Sequence, residues 1–460
     1  MKSKLFIFNL IVVILMMVTA LSGCAQQPTE APAEAPAEVP AATEAVEAPA
    51  EAAPVAMDFV TWDYGADKIA DNIKNFQAAN PGITINHKGY GWLDYPETLV
   101  GLFASGGEPE LLYSSDHWLQ QWAAAGWLEP LDEHCPNIAT YNQELAPYAK
   151  EGMTFDGKTY GLSYYADTMD FAYNEALLKK AGFDKAPETW EDVYTMAKAI
   201  KEQDINQYPI IMAWSQKEGA FPEAFISMIY SQHEGSNALF DADLNPVFNQ
   251  PGSAASQVLE WLVKAYDEGL LDPASLTTAE IDQVNSMKAG QHTFTIFPQY
   301  NMAEVNKEGT GDYAGQFKIA LMPGKSHNTV GYVRFYAMTP KAVAEGKVEA
   351  ACKFMDYFGG KTDGQYQVVK RWAIENGLGF AQLPLFDDPD VVEAFGKWGD
   401  VPTIKQQAEL ARAKEGLTPW FGTWDVYARA EIHKAILGEQ TVQQTLDNMA
   451  AKWEELKAQG

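Results

Sequence analysis

Pro109-Glu110-Leu111-Leu112-Tyr113 is a short apolar run that passes through Ser114-Ser115-Asp116 into Trp118 to Gly126. Glu110 to Tyr113 reads as a strand, and Trp118 onward as a helix that Gly126 ends. The same order appears upstream. Met57 to Val60 leads into Thr61-Trp62-Asp63-Tyr64, Ile69, Ile73 and Phe76 recur at helical spacing, and Asn80-Pro81-Gly82 stops the helix before a strand at Ile83 to Ile85. Downstream, the pattern predicts helices at residues 175–181, 190–203, 254–268, 344–358, 426–437 and 442–457. Alternating strands and helices predict an α/β fold with mixed sheets flanked by helices. In such sheets ligands sit beyond the carboxyl ends of the strands, which singles out Trp62 to Tyr64, Ser114 to Asp116, Trp214 and Tyr300.

The 460 residues are 47% apolar and 21% charged, a globular composition with room for two lobes. The formal net charge is −29, and no Lys/Arg cluster interrupts the acidic excess, so nucleic acid is excluded as a partner. Lys2 and Lys4 precede an apolar run, Leu5 to Leu21, which ends in Leu21-Ser22-Gly23-Cys24. That is the pattern of a secretory signal over residues 1–23. Small residues before a cysteine resemble the lipobox of bacterial lipoproteins, which implies lipidation of Cys24 and an extracytoplasmic chain anchored to the cell membrane. Residues 24–56 follow as an Ala/Pro/Glu-rich spacer that cannot form a core. The remaining cysteines, Cys135 and Cys352, either pair or pack as buried thiols.

Several stretches resemble the extracellular sugar-binding proteins that serve ATP-driven importers, the maltose-binding type among them. They are Pro109 to Leu112 with Asp116-His117-Trp118 and Gly126 to Leu131; Asp156 to Leu162 with Tyr164-Tyr165, Asp167-Thr168 and Tyr173-Asn174; Leu239-Phe240-Asp241, Phe248-Asn249 and Glu260 to Gly269; Gly331 to Pro340 with Ala350 to Phe358; and Leu437 to Thr441 with Leu446. The resemblance implies a two-lobe periplasmic-binding-protein fold of type II, with lobe one at 57–163 and 331–377 and lobe two at 166–330 and 382–460. It also implies hinged closure over a neutral mono- or oligosaccharide, delivery to the permease subunits of an ABC transporter, no cofactor, and a monomer.

A pyranose has apolar C–H faces and a rim of hydroxyls, so its site needs aromatic platforms and charged or polar groups that fix each hydroxyl. The candidate ligand-binding residues are Trp62, Tyr64, Trp92, Asp116, Tyr164, Asp167, Trp214, Tyr300, Tyr332, Arg334, Trp420 and Trp424. Asp116 is the leading carboxylate, since the resemblance puts a ligand-contacting aspartate in that turn; its bland alternative is a helix N-cap. Trp62, Asp116, Trp214 and Trp424 are expected to share one hollow. Trp118, Tyr165, Asp63 and Arg371 are weaker candidates, and Trp122, Trp190, Trp261 and Trp453 read as core. Glycoside cleavage is an alternative, but no pair of carboxylates is fixed by spacing. The seven His residues lack metal-ligand spacing, and Asp241, Asp243 and Asn245 open a calcium-like loop that Pro246 and Gly252 spoil. A polyamine, peptide or metal chelate remains an alternative ligand for the same fold.

Overall fold

The computed structural model describes residues 53–92 and 94–459. The apolar leader, Cys24 and all but the end of the Ala/Pro/Glu segment lie outside the described residues. Val55 and Ala56, read above as spacer, begin the first strand, where they pair with Ile83 and Thr84. No helix among the described residues is long and apolar enough to cross a membrane.

The strands are β1 (Val55–Trp62), β2 (Ile83–Tyr90), β3 (Leu111–Ser115), β4 (Thr154–Phe155), β5 (Lys158–Thr159), β6 (Leu162–Asn174), β7 (Ile210–Ile211), β8 (Phe294–Pro298), β9 (Phe317–Ala320), β10 (Thr329–Met338) and β11 (Ala411–Arg412). Among the described residues, β4 and β5 form a separate hairpin. The other nine make one mixed sheet in the order β2-β1-β3-β10-β6-β8-β7, with β9 on β6 and β11 on β10. β1 and β2 run parallel through the helix Ala66–Ala79, whose Ile69, Ile73 and Phe76 are buried at the predicted spacing.

Two strands carry the architecture. All of β10 is buried, as is β6 apart from Tyr173, so neither shows the alternating burial of a half-exposed sheet, and Asp167, Asp170 and Arg334 are buried along with the apolar residues. Residues 162–168 of β6 pair with β10, whereas residues 169–174 pair with β8 and β9. The end of β10, from Arg334, pairs with β3, and its first residues pair with β11. Each strand thus begins in one half of the molecule and ends in the other, in opposite directions. The first half holds β1, β2 and β3; the second holds β7, β8, β9 and β11.

The predicted helices appear with small shifts. Residues 344–358 divide into Pro340–Ala344 and Val348–Phe358 around Gly346, whose φ of 69° is left-handed, and the predicted 426–437 helix begins earlier, at Phe421. Cys135 and Cys352 form a disulfide with Cα atoms 5.3 Å apart. It ties the loop between Leu131–Glu133 and the helix Ile138–Tyr141 to the helix Val348–Phe358, which packs on Ala66–Ala79 in the first half.

Candidate functional site

A cleft of ≈310 Å³ opens where the carboxyl ends of β1 and β8 meet the crossing strands. Trp62 closes β1, Asp63 and Tyr64 follow it, and Trp92 follows β2. Trp62 meets Trp92 edge to face at 5.2 Å, and Tyr164 stacks on the buried Tyr113 at 4.5 Å, so packing fixes both cleft-facing rings. Adjacent strand residues ordinarily face opposite ways. Here the pairing of β6 with β10 slips between Arg334 and Phe335, leaving Tyr164 as an extra residue, and both Tyr164 and Tyr165 line the cleft. Across from this wall, Glu223 sits in the first turn of helix Ala220–Gln232, Glu280 opens helix Glu280–Lys288, and Glu218 lies in the loop before the former.

The carboxylates differ in environment. Burial raises the pKa of Glu280, although the Tyr300 hydroxyl and Asn301 Nδ2 (2.9 Å) donate to it. Burial and then nearby Glu280 raise Glu218. Glu223 is different. Burial alone would raise it, but Lys414, followed by His117, holds it well below the carboxylate range. Asp116 behaves alike, burial being outweighed by Lys414, His117 and Arg334.

These groups form one buried cluster behind the cleft. Asp116 Oδ1 accepts from Arg334 Nη1 at 2.8 Å, and Lys414 Nζ lies 3.0 Å from Asp116 Oδ2 and 2.9 Å from Glu223 Oε1. His117 Nε2 is 3.0 Å from Glu223 Oε1, and burial and then Lys414 push its imidazole pKa down, so it stays neutral at pH 7. Two cations balance two carboxylates, the condition under which such burial is tolerable. The Arg334 guanidinium also lies 4.8 Å from the Tyr332 ring centre and 5.8 Å from that of Trp92, so two aromatic rings pack against it at the cleft floor.

Residues 72–374 match the family model described as bacterial extracellular solute-binding protein. The chain belongs to that family. This solute-binding protein is 24% identical over 404 residues to a binding protein of Brucella abortus, covering 88% of this chain and 93% of that one. It is 30% identical over 298 residues to the maltotriose-binding protein of Pyrococcus abyssi, with 65% and 60% covered. Its fold resembles that of maltose-bound MalE3 of T. maritima with a TM-score of 0.73 at 20% identity, over 87% of this chain and 99% of that one.

Besides the weaker candidates Asp63 and Tyr165, seven of the twelve candidate ligand-binding residues line the cleft of this solute-binding protein: Trp62, Tyr64, Trp92, Tyr164, Tyr300, Tyr332 and Arg334. Five do not. Asp116 is 2% exposed and its carboxylate is taken by Arg334 and Lys414. The N-cap of its helix is Ser115, whose Oγ accepts from His117 N at 3.1 Å. Asp167 lies behind the cleft wall, accepting from Tyr300 N at 3.1 Å and the Tyr165 hydroxyl at 3.2 Å, and burial raises its pKa. Trp214 is wholly buried and stacked on Phe221 at 5.1 Å. Trp424 donates from Nε1 to Met449 O at 2.9 Å within a knot that includes Phe240 and Trp453, and Trp420 packs on Trp453. The hollow expected of Trp62, Asp116, Trp214 and Trp424 together therefore receives only Trp62. Arg371 pairs with Asp71 at 2.6 Å and Glu375 at 2.9 Å, and Trp118 stacks on Trp122. Sequence reasoning missed Glu218, Glu223, Glu280 and Lys414. The strand-end rule stops at Trp214, short of Glu218 in the next loop and Glu223 in the helix after it, and it does not reach Glu280, which opens a helix ahead of β8.

Proposed function

We propose that the chain captures a short neutral sugar between its two lobes and releases it unchanged to the permease subunits of an ABC transporter. The observation that carries this reading is the pairing of an aromatic wall, Trp62, Tyr64, Trp92 and Tyr164, with an opposing set of acceptors, Glu218, Glu223 and Glu280, across one cleft. Rings suit the C–H face of a pyranose, and ionised carboxylates accept from its hydroxyls in charge-assisted bonds. Arg334 supplies a donor for a ring or linking oxygen. At ≈310 Å³ the cleft is at the small end of ligand sites, roughly 300 to 1,000 Å³, which favours a mono- to trisaccharide over a long oligosaccharide. The maltotriose-binding and maltose-bound relatives support the ligand class.

Lobe boundaries at residues 163–166, 330–331 and 377–382 would place the hinge on the two crossing strands and on the segment that follows helix Gln367–Asn376. The leader and Cys24 support a lipid anchor on the outer face of the membrane, and the disulfide supports an oxidising compartment. We take the protein to act as a monomer, and to bind without turnover, the latter because the relatives named above are binding proteins.

A second reading has its own observation. Asp63, Glu218 and Glu280 line the cleft with no Lys or Arg within ion-pair distance among the described residues, which suits a cation such as a polyamine. A thermal-shift screen of the purified protein against mono- and oligosaccharides, polyamines and ferric citrate separates the readings, because a ligand of the folded state raises its melting temperature. A rise with sugars and their recovery intact support capture. A rise with polyamines alone replaces the sugar.

A further inference from the structure

The ion cluster behind Arg334 draws its members from both halves of the molecule. Asp116 and His117 open the helix after β3, and Arg334 lies on the part of β10 that pairs with β3. Glu223 lies on the second-half helix Ala220–Gln232. Lys414 is fixed to that same helix. Its neighbours Ala413 and Glu415 are both bound by the Tyr230 hydroxyl, which donates to Ala413 O at 3.0 Å and accepts from Glu415 N at 2.7 Å.

The contacts divide accordingly. Arg334 with Asp116 and Lys414 with Glu223 are pairs within one half, each electrically neutral. Lys414 with Asp116 at 3.0 Å and His117 with Glu223 at 3.0 Å run between the halves. Parting the halves therefore strands no lone charge, because each keeps a matched pair that water can solvate. Bringing them together adds one ion pair, Lys414 with Asp116, at low dielectric, where a charge–charge contact is strong, and one hydrogen bond between the neutral His117 and Glu223. Lys414 itself is fully buried and does not line the cleft.

We propose that Lys414 is a positioning residue that sets how long the cleft stays shut, by bridging Asp116 and Glu223 behind the two ligand-facing groups Arg334 and Glu223. It acts through those groups and never on the ligand. The dissociation arm of the test rests on the sugar reading; the distance arm does not.

The full chain carries spin labels at Val100→Cys in the first half and Val426→Cys in the second, both surface positions. Pulsed electron resonance without sugar reads the distance between halves. Lys414→Met is expected to lower the short-distance population about tenfold, while Lys414→Arg restores it. With maltotriose as the probe, stopped-flow tryptophan fluorescence should show dissociation about tenfold faster and association within about twofold of the parent. If Lys414→Met does not fold, because Arg334 alone faces two buried carboxylates, the charge-balanced pair Lys414→Met with Glu223→Gln is measured for distance and the same shift is expected. A lysine with a merely structural role would lower the melting temperature and leave the distance distribution as in the parent. That unchanged distribution overturns the proposal, whatever sugars bind. Distances that shift while maltotriose and other sugars fail to bind uphold Lys414 and remove the ligand class instead.

Discussion

The two halves of the molecule bring different chemistry to the same cleft. The first presents Trp62, Tyr64, Trp92 and Tyr164, braced from behind by Tyr113, and is cross-linked by Cys135–Cys352. The second presents Glu218, Glu223 and Glu280 from helix starts and the loop before them, and no disulfide among the described residues lies there. On the proposed reading, stacking and hydrogen bonding fall to opposite walls. A sugar held by one wall alone would then satisfy its face or its rim but not both, and full affinity would require both lobes.

The largest expected effect tests whether the first half can be loosened without touching recognition. Replacing both cysteines by serine removes a link between residues 217 positions apart, and calorimetry should show a loss of roughly 2 to 5 kcal/mol. Sugar affinity of the folded fraction should stay within about twofold; a parallel collapse of affinity would break the division between the halves.

Next comes Asp170, on the second-half end of β6. Burial raises its pKa to about 7, with the Thr168 hydroxyl at 2.7 Å opposing, and its Oδ2 has no hydrogen-bond partner among the described residues. The folded chain then holds a proton that the unfolded chain has already released. Stability is present below the ordinary aspartate range and falls as pH climbs toward 7. Asp170→Asn removes that loss. Between pH 5 and pH 8 it should lose less stability than the parent, by on the order of 1 to 3 kcal/mol in urea titrations.

Two smaller effects weigh the walls against each other. Trp92 is 39% exposed, so Trp92→Ala should leave the fold intact and weaken sugar binding by about 1 to 2 kcal/mol in titration calorimetry. Glu280→Gln keeps a neutral acceptor and should cost only about 0.5 to 1.5 kcal/mol. Because Glu218 and Glu280 are both raised, affinity should decline on acidification before ordinary carboxylates protonate, and Glu280→Gln should flatten that decline. If Glu280→Gln proves the more damaging of the two, the carboxylate wall leads recognition.

The alternating elements were legible because Ile69, Ile73 and Phe76, or Leu111 to Tyr113, repeat at the spacing their burial demands. Strand ends located Trp62, Tyr64 and Tyr300. Aromatic identity alone did not separate cleft from core: Trp214 and Trp424 have the same chemistry as Trp62, and only their partners Phe221 and Phe240 distinguish them. Asp116 was recognisable as a special position, but its role depends on Lys414, which no local pattern connects to it. Glu218 and Glu280 were hidden among 62 acidic residues. The slip that turns Tyr164 and Tyr165 to the same side belongs to the pairing of β6 with β10, and neither strand shows it alone.

Tyr64 and Trp92 at the mouth of the cleft remain 42% and 39% exposed. These exposed ring faces are apolar surface that solvent can reach, and a sugar face that covered them would remove that surface from water. The heat capacity of the system should therefore fall on binding, so the enthalpy of capture becomes more favourable with each degree of warming.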